Sequence, residues 1–263
     1  MIPHGHSLGG QSTEIAPGIH HIQKARGANV YLLVDQDLTL IDTGYPGNGR
    51  IVVEYIEGLG RHAEELKRVL ITHSHPDHTG SVTELRELAP IQVLVHQADT
   101  RLDAQGRYLV SYLNVFGENP LPIPFLRRLV ADGFLEDGQV LPILGGLRVI
   151  HTPGHTPGSV CFYLESRKAI FLGDMVVNIG QYVGASMPFP KTDLKLYEKS
   201  LHKIADLDFD IACLAHGQVL QGDADQRIRR TLNWYFNAPI WRRLLRALTR
   251  LLRLGKQTGF KEL

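Results

Sequence analysis

"THSHPDHTG", residues 72–80, crowds His73, His75, Asp77 and His78 into six positions. Imidazole and carboxylate are good ligands for zinc and similar divalent ions. The run "LKRVLITHSH" (66–75) reads as a strand entering this cluster. A strand alternates its side chains, so His73 and His75 are expected to point the same way where it ends. A turn helped by Pro76 then brings Asp77 and His78 to a neighbouring position. One ion does not easily take all four groups at this spacing. Two adjacent ions could share them if further ligands came from elsewhere in the chain.

The chain offers such ligands. His155 sits in "HTPGHTPGS" (151–159), a loop punctuated by proline and glycine that restrict the backbone. Asp174 closes the run "AIFLGD" (169–174), and His216 follows "DIACLA" (210–215) and precedes Gly217. Strand ends and the loops beyond them are where sites are usually built. Thirteen histidines are present, and a lone histidine is usually a surface or satisfied core residue. His4, His6, His20, His21, His62 and His202 are read that way, whereas His96 is expected near the pocket without matching a ligand position, and His151 reads as structural.

With "LIDTG" (40–44), "THSHPDHTG", "TPGHTPGS", "FLGD" and "LAHG" in this order, the chain resembles the metallo-β-lactamase superfamily from about Ile41 to Gly217. The resemblance implies an α+β fold, a four-layer αββα sandwich, with a metal site at one edge of its two sheets. It implies that His73, His75 and His155 hold one ion, that Asp77, His78 and His216 hold a second, and that Asp174 bridges them. Asp42 would orient a ligand from behind, as such carboxylates do. The cofactors expected are two divalent ions, zinc first, with iron or manganese as alternatives. Such a pair favours a bridging hydroxide that attacks an acyl carbon, with Asp77 and Asp174 as the catalytic carboxylates.

The ligand set narrows the chemistry. Secreted β-lactamases of this superfamily usually lack the bridging aspartate, whereas glyoxalase II-like thioesterases and acyl-homoserine lactonases have it. The expected reaction is therefore hydrolysis of a thioester, lactone or ester of a small molecule. Phosphodiester or phosphotriester cleavage at the same site is the alternative. A mononuclear iron persulfide dioxygenase would use a smaller ligand set than the one present here.

A chain of 263 residues, 43% hydrophobic and 21% charged, is ordinary globular composition. Its formal net charge of +1 provides no field to recruit nucleic acid, so none is expected as a partner. Cys161 and Cys213 each sit inside an apolar run and read as reduced, buried residues. The N-terminus lacks a basic region followed by an apolar one, which gives the expectation of a cytoplasmic protein.

The domain reading is a flexible arm over residues 1–14, a catalytic domain over 15–222, and C-terminal helices over 223–263 that pack on it. Within the domain, residues 99–136 read as a lid or pocket insertion, with Tyr108, Tyr112, Phe116 and Phe125 lining a cleft or packing on the core. Ser81 and Glu84 fit a capping box at the start of the helix in "GSVTELRELAP" (80–90). The arm contains "GHSLGG" (5–10), a match to G-x-S-x-G around Ser7. A nucleophile elbow needs a preceding buried strand and a following helix, and neither reads here. The stretch "IWRRLLRALTRLLRLG" (240–255) is amphipathic, with leucines on one stripe and arginines largely outside it. It is expected to cap the domain or form a homodimer contact, with membrane-surface binding the less favoured reading.

Overall fold

The computed structural model of the chain describes residues 14–111, 129–179, 182–186 and 192–239. Ser7, Tyr112, Phe116, Phe125 and the 240–255 stretch lie outside the described residues.

The first half of the chain builds one sheet. β1 (Glu14–Ala16), β2 (Ile19–His21), β3 (Tyr31–Val34) and β4 (Leu38–Ile41) form an antiparallel meander. β5 (Leu66–Leu70), β6 (Gln92–His96) and β9 (Gly133–Leu135) add parallel strands in the order β4-β5-β6-β9. Between β6 and β9 runs a separate hairpin of β7 (Thr100–Leu102) and β8 (Tyr108–Val110). The second half builds a six-stranded sheet in the order β10 (Val140–Leu141), β11 (Leu147–His151), β12 (Val160–Leu164), β13 (Ala169–Phe171), β16 (Ile211–Cys213) and β17 (Leu220–Gln221). β14 (Val176–Ile179) and β15 (Tyr182–Ala185) pair beside it.

Strand alternation sorts the apolar side chains into three layers. Tyr31 and Leu33 of β3 face Val160, Phe162 and Leu164 of β12 in a core between the two sheets. Leu32 of β3 points the other way, towards Val52 and Ile56 of α1 (Gly49–Gly58) and Val82 and Leu85 of α3 (Val82–Leu88). Cys161 and Tyr163 of β12 point outward too, towards Leu201 and Ile204 of α4 (Leu194–Ala205) and Ile228 and Leu232 of α5 (Ala224–Asn237). Both sheet faces are thus buried, and the order helix, sheet, sheet, helix is the expected αββα sandwich. Cys161 and Cys213 are free and buried.

Several local readings change. Glu14, assigned to the arm, pairs with His20 in β1–β2. The 99–136 insertion is shorter than read, because Gly133–Leu135 pairs with β6 inside the first sheet and Leu135 is buried between the sheets. Tyr108 packs edge-on against Phe134 with ring centroids 4.7 Å apart, so it belongs to the packing of this segment. The capping box at α3 does not form. Ser81 Oγ donates to the Tyr45 carbonyl and accepts the Asn48 amide, while the Glu84 carboxylate accepts the amides of Gly49 and Arg50. Glu84 therefore caps α1 instead of its own helix. Four N-terminal amides lack partners in any helix, and a carboxylate from a neighbouring helix satisfies them as well as a local one.

Candidate metal centre

The strand leading to the histidine cluster stops at Leu70, so His73 and His75 stand on the loop after it and not on the strand itself. Pro76 opens a single turn of helix, α2 (Pro76–Thr79), capped by His75. Proline is favoured there because its missing amide would have had no partner. The turn lifts Asp77 and His78 beside the first two histidines. The His75 carbonyl accepts the amides of His78 and Thr79, and the His78 carbonyl accepts the amide and hydroxyl of Thr43.

Two donor groups result. His73, His75, His155 and Asp174 form the first, and Asp77, His78 and His216 the second; within each, one ligand atom per residue lies within 4.8 Å of the others. All seven residues proposed from the sequence are therefore brought together. In the first group His155 Nε2 lies 3.2 Å from His75 Nδ1 and 3.3 Å from Asp174 Oδ2. In the second, His216 Nε2 lies 3.3 Å from Asp77 Oδ2. The other oxygen of Asp174, Oδ1, is 3.2 Å from His216 Nε2 and 3.4 Å from His78 Nε2. One carboxylate thus turns an oxygen towards each group.

The donor chemistry fits divalent ions. Buried polar atoms normally have hydrogen-bond partners. His73 Nε2 is buried and has none among the described residues, and it belongs to the first group. Burial and the neighbouring rings of His78, His75 and His155 hold His73 well below the usual imidazole value. Burial and His155 likewise bring His75 down to about 3, so both rings are neutral, the form that binds metal. Burial disfavours the Asp77 and Asp174 carboxylates, but the histidines around them outweigh it. Asp77 is brought to about 2, and Asp174 lies well below the usual carboxylate range.

Asp42 supports the cluster from behind. Its backbone is left-handed, with φ of 57°. Its carboxylate accepts the Thr72 amide and hydroxyl at 2.8 and 2.7 Å and lies 2.8 Å from His78 Nδ1. This fixes the His78 ring so that Nε2 faces the second group. His96 and His151 stack on each other at 3.9 Å and stand outside both groups.

Sequence reasoning missed what holds His216. Asn29 donates its side-chain amide to the carbonyls of Leu214 and Gly217, both at 2.8 Å, and its backbone amide to Ala215 at 2.7 Å. The adjacent Ala28 amide donates to the Asp77 carbonyl. Asn178 clamps the other side, donating its backbone amide to the His216 carbonyl and its side chain to Gln218. The only local signal was the turn-forming "RGAN" (26–29). Asn29→Ala is expected to remove the hydrogen bonds to the Leu214 and Gly217 carbonyls that hold the His216 loop and cost about 1–3 kcal/mol. Thermal denaturation of the metal-free chain checks this, and a zinc titration should show weaker binding confined to the second group.

The four histidines of the interior are buried, whereas the side chains of Asp77 and His216 are 21% and 28% exposed. Solvent therefore reaches the site over the second group. Tyr45, 50% exposed, stands on the loop after β4 on that side, close enough for Asp77 to push its phenol up and His78 to oppose the shift, with burial the larger cause.

Residues 24–216 match the sequence profile of the Metallo-beta-lactamase superfamily. The lactamase-like protein nscB of Neosartorya fischeri is 30% identical over 214 residues, covering 81% of this chain and 53% of that protein. The atrochrysone carboxyl ACP thioesterase of Aspergillus fumigatus is 29% identical over 219 residues, covering 82% of this chain and 58% of that protein. The chain spans little more than half the length of these two fungal relatives. Among solved structures, a metallo-beta-lactamase family protein from Thermus thermophilus superposes with a TM-score of 0.62 at 23% identity, over 84% of this chain and 78% of that one. At that identity the likeness shows the fold alone.

Proposed function

The chain belongs to the metallo-beta-lactamase superfamily, and from that premise we propose that it hydrolyses an acyl bond, a thioester first, in a small molecule. His73, His75 and His155 would hold one divalent ion, Asp77, His78 and His216 a second, and Asp174 would serve both. Zinc is the first choice for this nitrogen and oxygen set, with iron or manganese as alternatives. The observation that carries the two-ion reading is the Asp174 carboxylate, with one oxygen 3.3 Å from His155 and the other 3.2 Å from His216. Bound there, such ions supply Lewis acidity, lowering the pKa of water from about 15.7 towards about 7 and polarising a carbonyl.

The chain's own residues do the rest. Asp174 is ionised and buried, so it orders both groups without competing for solvent. Asp77 is the more open carboxylate, and Asp174 would help receive the proton that leaves the attacking water. No serine or cysteine nucleophile is required. The thioesterase among the relatives supports a thioester as substrate, and the bridging aspartate disfavours a dedicated β-lactamase. No described helix is long and apolar enough to cross a membrane, and a small-molecule substrate without nucleic acid remains the proposed partner.

A substrate panel tests this with zinc-loaded protein: S-lactoylglutathione and an acyl thioester, acyl-homoserine lactones, an aryl ester, a chromogenic cephalosporin and an aryl phosphodiester. Turnover of an acyl substrate at kcat/KM of at least about 10⁴ M⁻¹s⁻¹ is expected. Turnover of the phosphodiester alone would refute the acyl reading.

Tyr45 offers a second check. A side-chain Cβ at Gly27 would meet its ring at 3.0 Å, so the ring packs on a glycine while half of the residue stays exposed. It would contact the acyl group of the substrate. Tyr45→Ala is expected to raise KM about tenfold, equivalent to about 1.4 kcal/mol, with kcat little changed. Tyr45→Phe keeps the ring and should behave like the parent.

A further inference from the structure

Asp99 closes the short 3-10 turn (Gln97–Asp99) that follows β6, lies outside both donor groups, and is fully buried. Its Oδ2 accepts the amide of Ser74 at 2.8 Å and the hydroxyl of Thr156 at 2.8 Å, and its Oδ1 accepts the amide of Gly158 at 2.7 Å. Ser74 is the residue between His73 and His75. Thr156 follows His155, and Gly158 closes the same loop. A Cβ on Gly158 would meet Asp99 at 2.7 Å, so the loop lies directly on this carboxylate. The two loops that Asp99 joins come from different sheets, 82 residues apart between Ser74 and Thr156.

We infer that Asp99 is the positioning residue of the first donor group, setting how tightly His73, His75 and His155 bind a metal ion; this rests on the metal reading proposed above. The physical basis is the spacing of the loops. Three nitrogen ligands must meet one ion within a few tenths of an ångström, and His73 and His75 reach His155 only if their backbones are held at fixed separation. Asp174 reaches both loops only through the candidate ligand rings of His155 and His78, whereas Asp99 holds the loops by two backbone amides and a hydroxyl. Asp42, by contrast, binds Thr72 and His78, on the first loop alone. The carboxylate form matters because all three partners are donors. An amide at this position would turn its NH2 group towards at least one of them.

The test separates the two groups. In a His216→Ala background the first group remains, and zinc affinity is read by competition with a chromogenic chelator, without reference to activity. Asp99→Asn added to that background should weaken zinc binding about 10–100-fold, the usual effect of losing an outer partner of a ligand. In a His73→Ala background, where the second group remains, the same substitution should leave affinity within about twofold. Thr156→Val removes one donor and should weaken the first group alone by a smaller factor, whereas Thr156→Ser keeps the hydroxyl and should retain parental affinity. Equal weakening in both backgrounds, or none in either, overturns the assignment. If Asp99→Asn does not fold, the Thr156 pair decides by the same criterion. A parent chain that takes up no zinc refutes the metal reading itself, and the assignment with it. A parent that binds two ions and an Asp99→Asn protein that binds them equally well refutes only the assignment.

Discussion

Asp174→Ala is expected to reduce kcat/KM by more than the roughly 100-fold that loss of an outer hydrogen-bond partner costs, while far-UV circular dichroism stays that of the parent. The carboxylate sits at the junction of both donor groups, with an oxygen towards each. Its loss removes an anion from a centre where the remaining donors are largely imidazoles. Metal content should fall below two ions per chain by elemental analysis. The fold should survive, because Asp174 stands in the loop beyond β13 and contributes to none of the three apolar layers. Asp77→Ala should also inactivate. Ser7→Ala should change nothing, since no strand and helix frame the serine in the sequence. Full turnover by Asp174→Ala protein, or an inactive Ser7→Ala protein with normal metal content, would remove the chemistry from this site.

Gly217→Ala should have the second large effect. Gly217 follows His216 with φ of 97°, and a Cβ there would lie 1.5 Å from the Asn178 carbonyl oxygen. The left-handed backbone alone costs a residue with a Cβ about 1–2 kcal/mol. Relieving the overlap adds an overpacking cost of about 1–3 kcal/mol. The loop must also break its bonds to Asn178, among them the amide that donates to the His216 carbonyl. The variant should melt earlier than the parent without metal and, on the two-ion proposal, should bind one ion fewer than the parent. Parental melting and metal content would show that the loop can move aside at no cost.

The seven ligand candidates were legible because the chemistry restricts residue type and because each sits in a short motif with its own punctuation. "THSHPDHTG" carries Pro76 at the helical first turn, and "LAHG" ends on a glycine that no other residue could replace without a clash. The sandwich was legible through the family resemblance that the five motifs carry, and the alternation along "VCFYL" (160–164) shows how one strand serves two cores. What stayed hidden lies in long-range side-chain to backbone bonds. Asn29 reaches Leu214 and Gly217 across 185 and 188 residues, and nothing near "RGAN" marks its partners. Asp99 reads as the first residue of the 99–136 insertion until the loop around Thr156 folds over it. Glu84 misled for the same reason. The pattern with Ser81 was local, but the amides of α1 compete for the carboxylate and win because the two helices lie side by side.

The two donor groups draw their side chains from separate halves of the chain. His73, His75, Asp77 and His78 belong with the first sheet, and His155, Asp174 and His216 with the second. An ion held by both halves would act as a rivet between two leaves of the protein. Removing it should loosen the seam before it melts either leaf, so chelation would broaden the thermal transition as well as lower it. The same arrangement separates chemistry from recognition. The rivet would fix the reacting centre at the seam, while the loops beyond the strand ends, Tyr45 among them, could change in length and character without disturbing it.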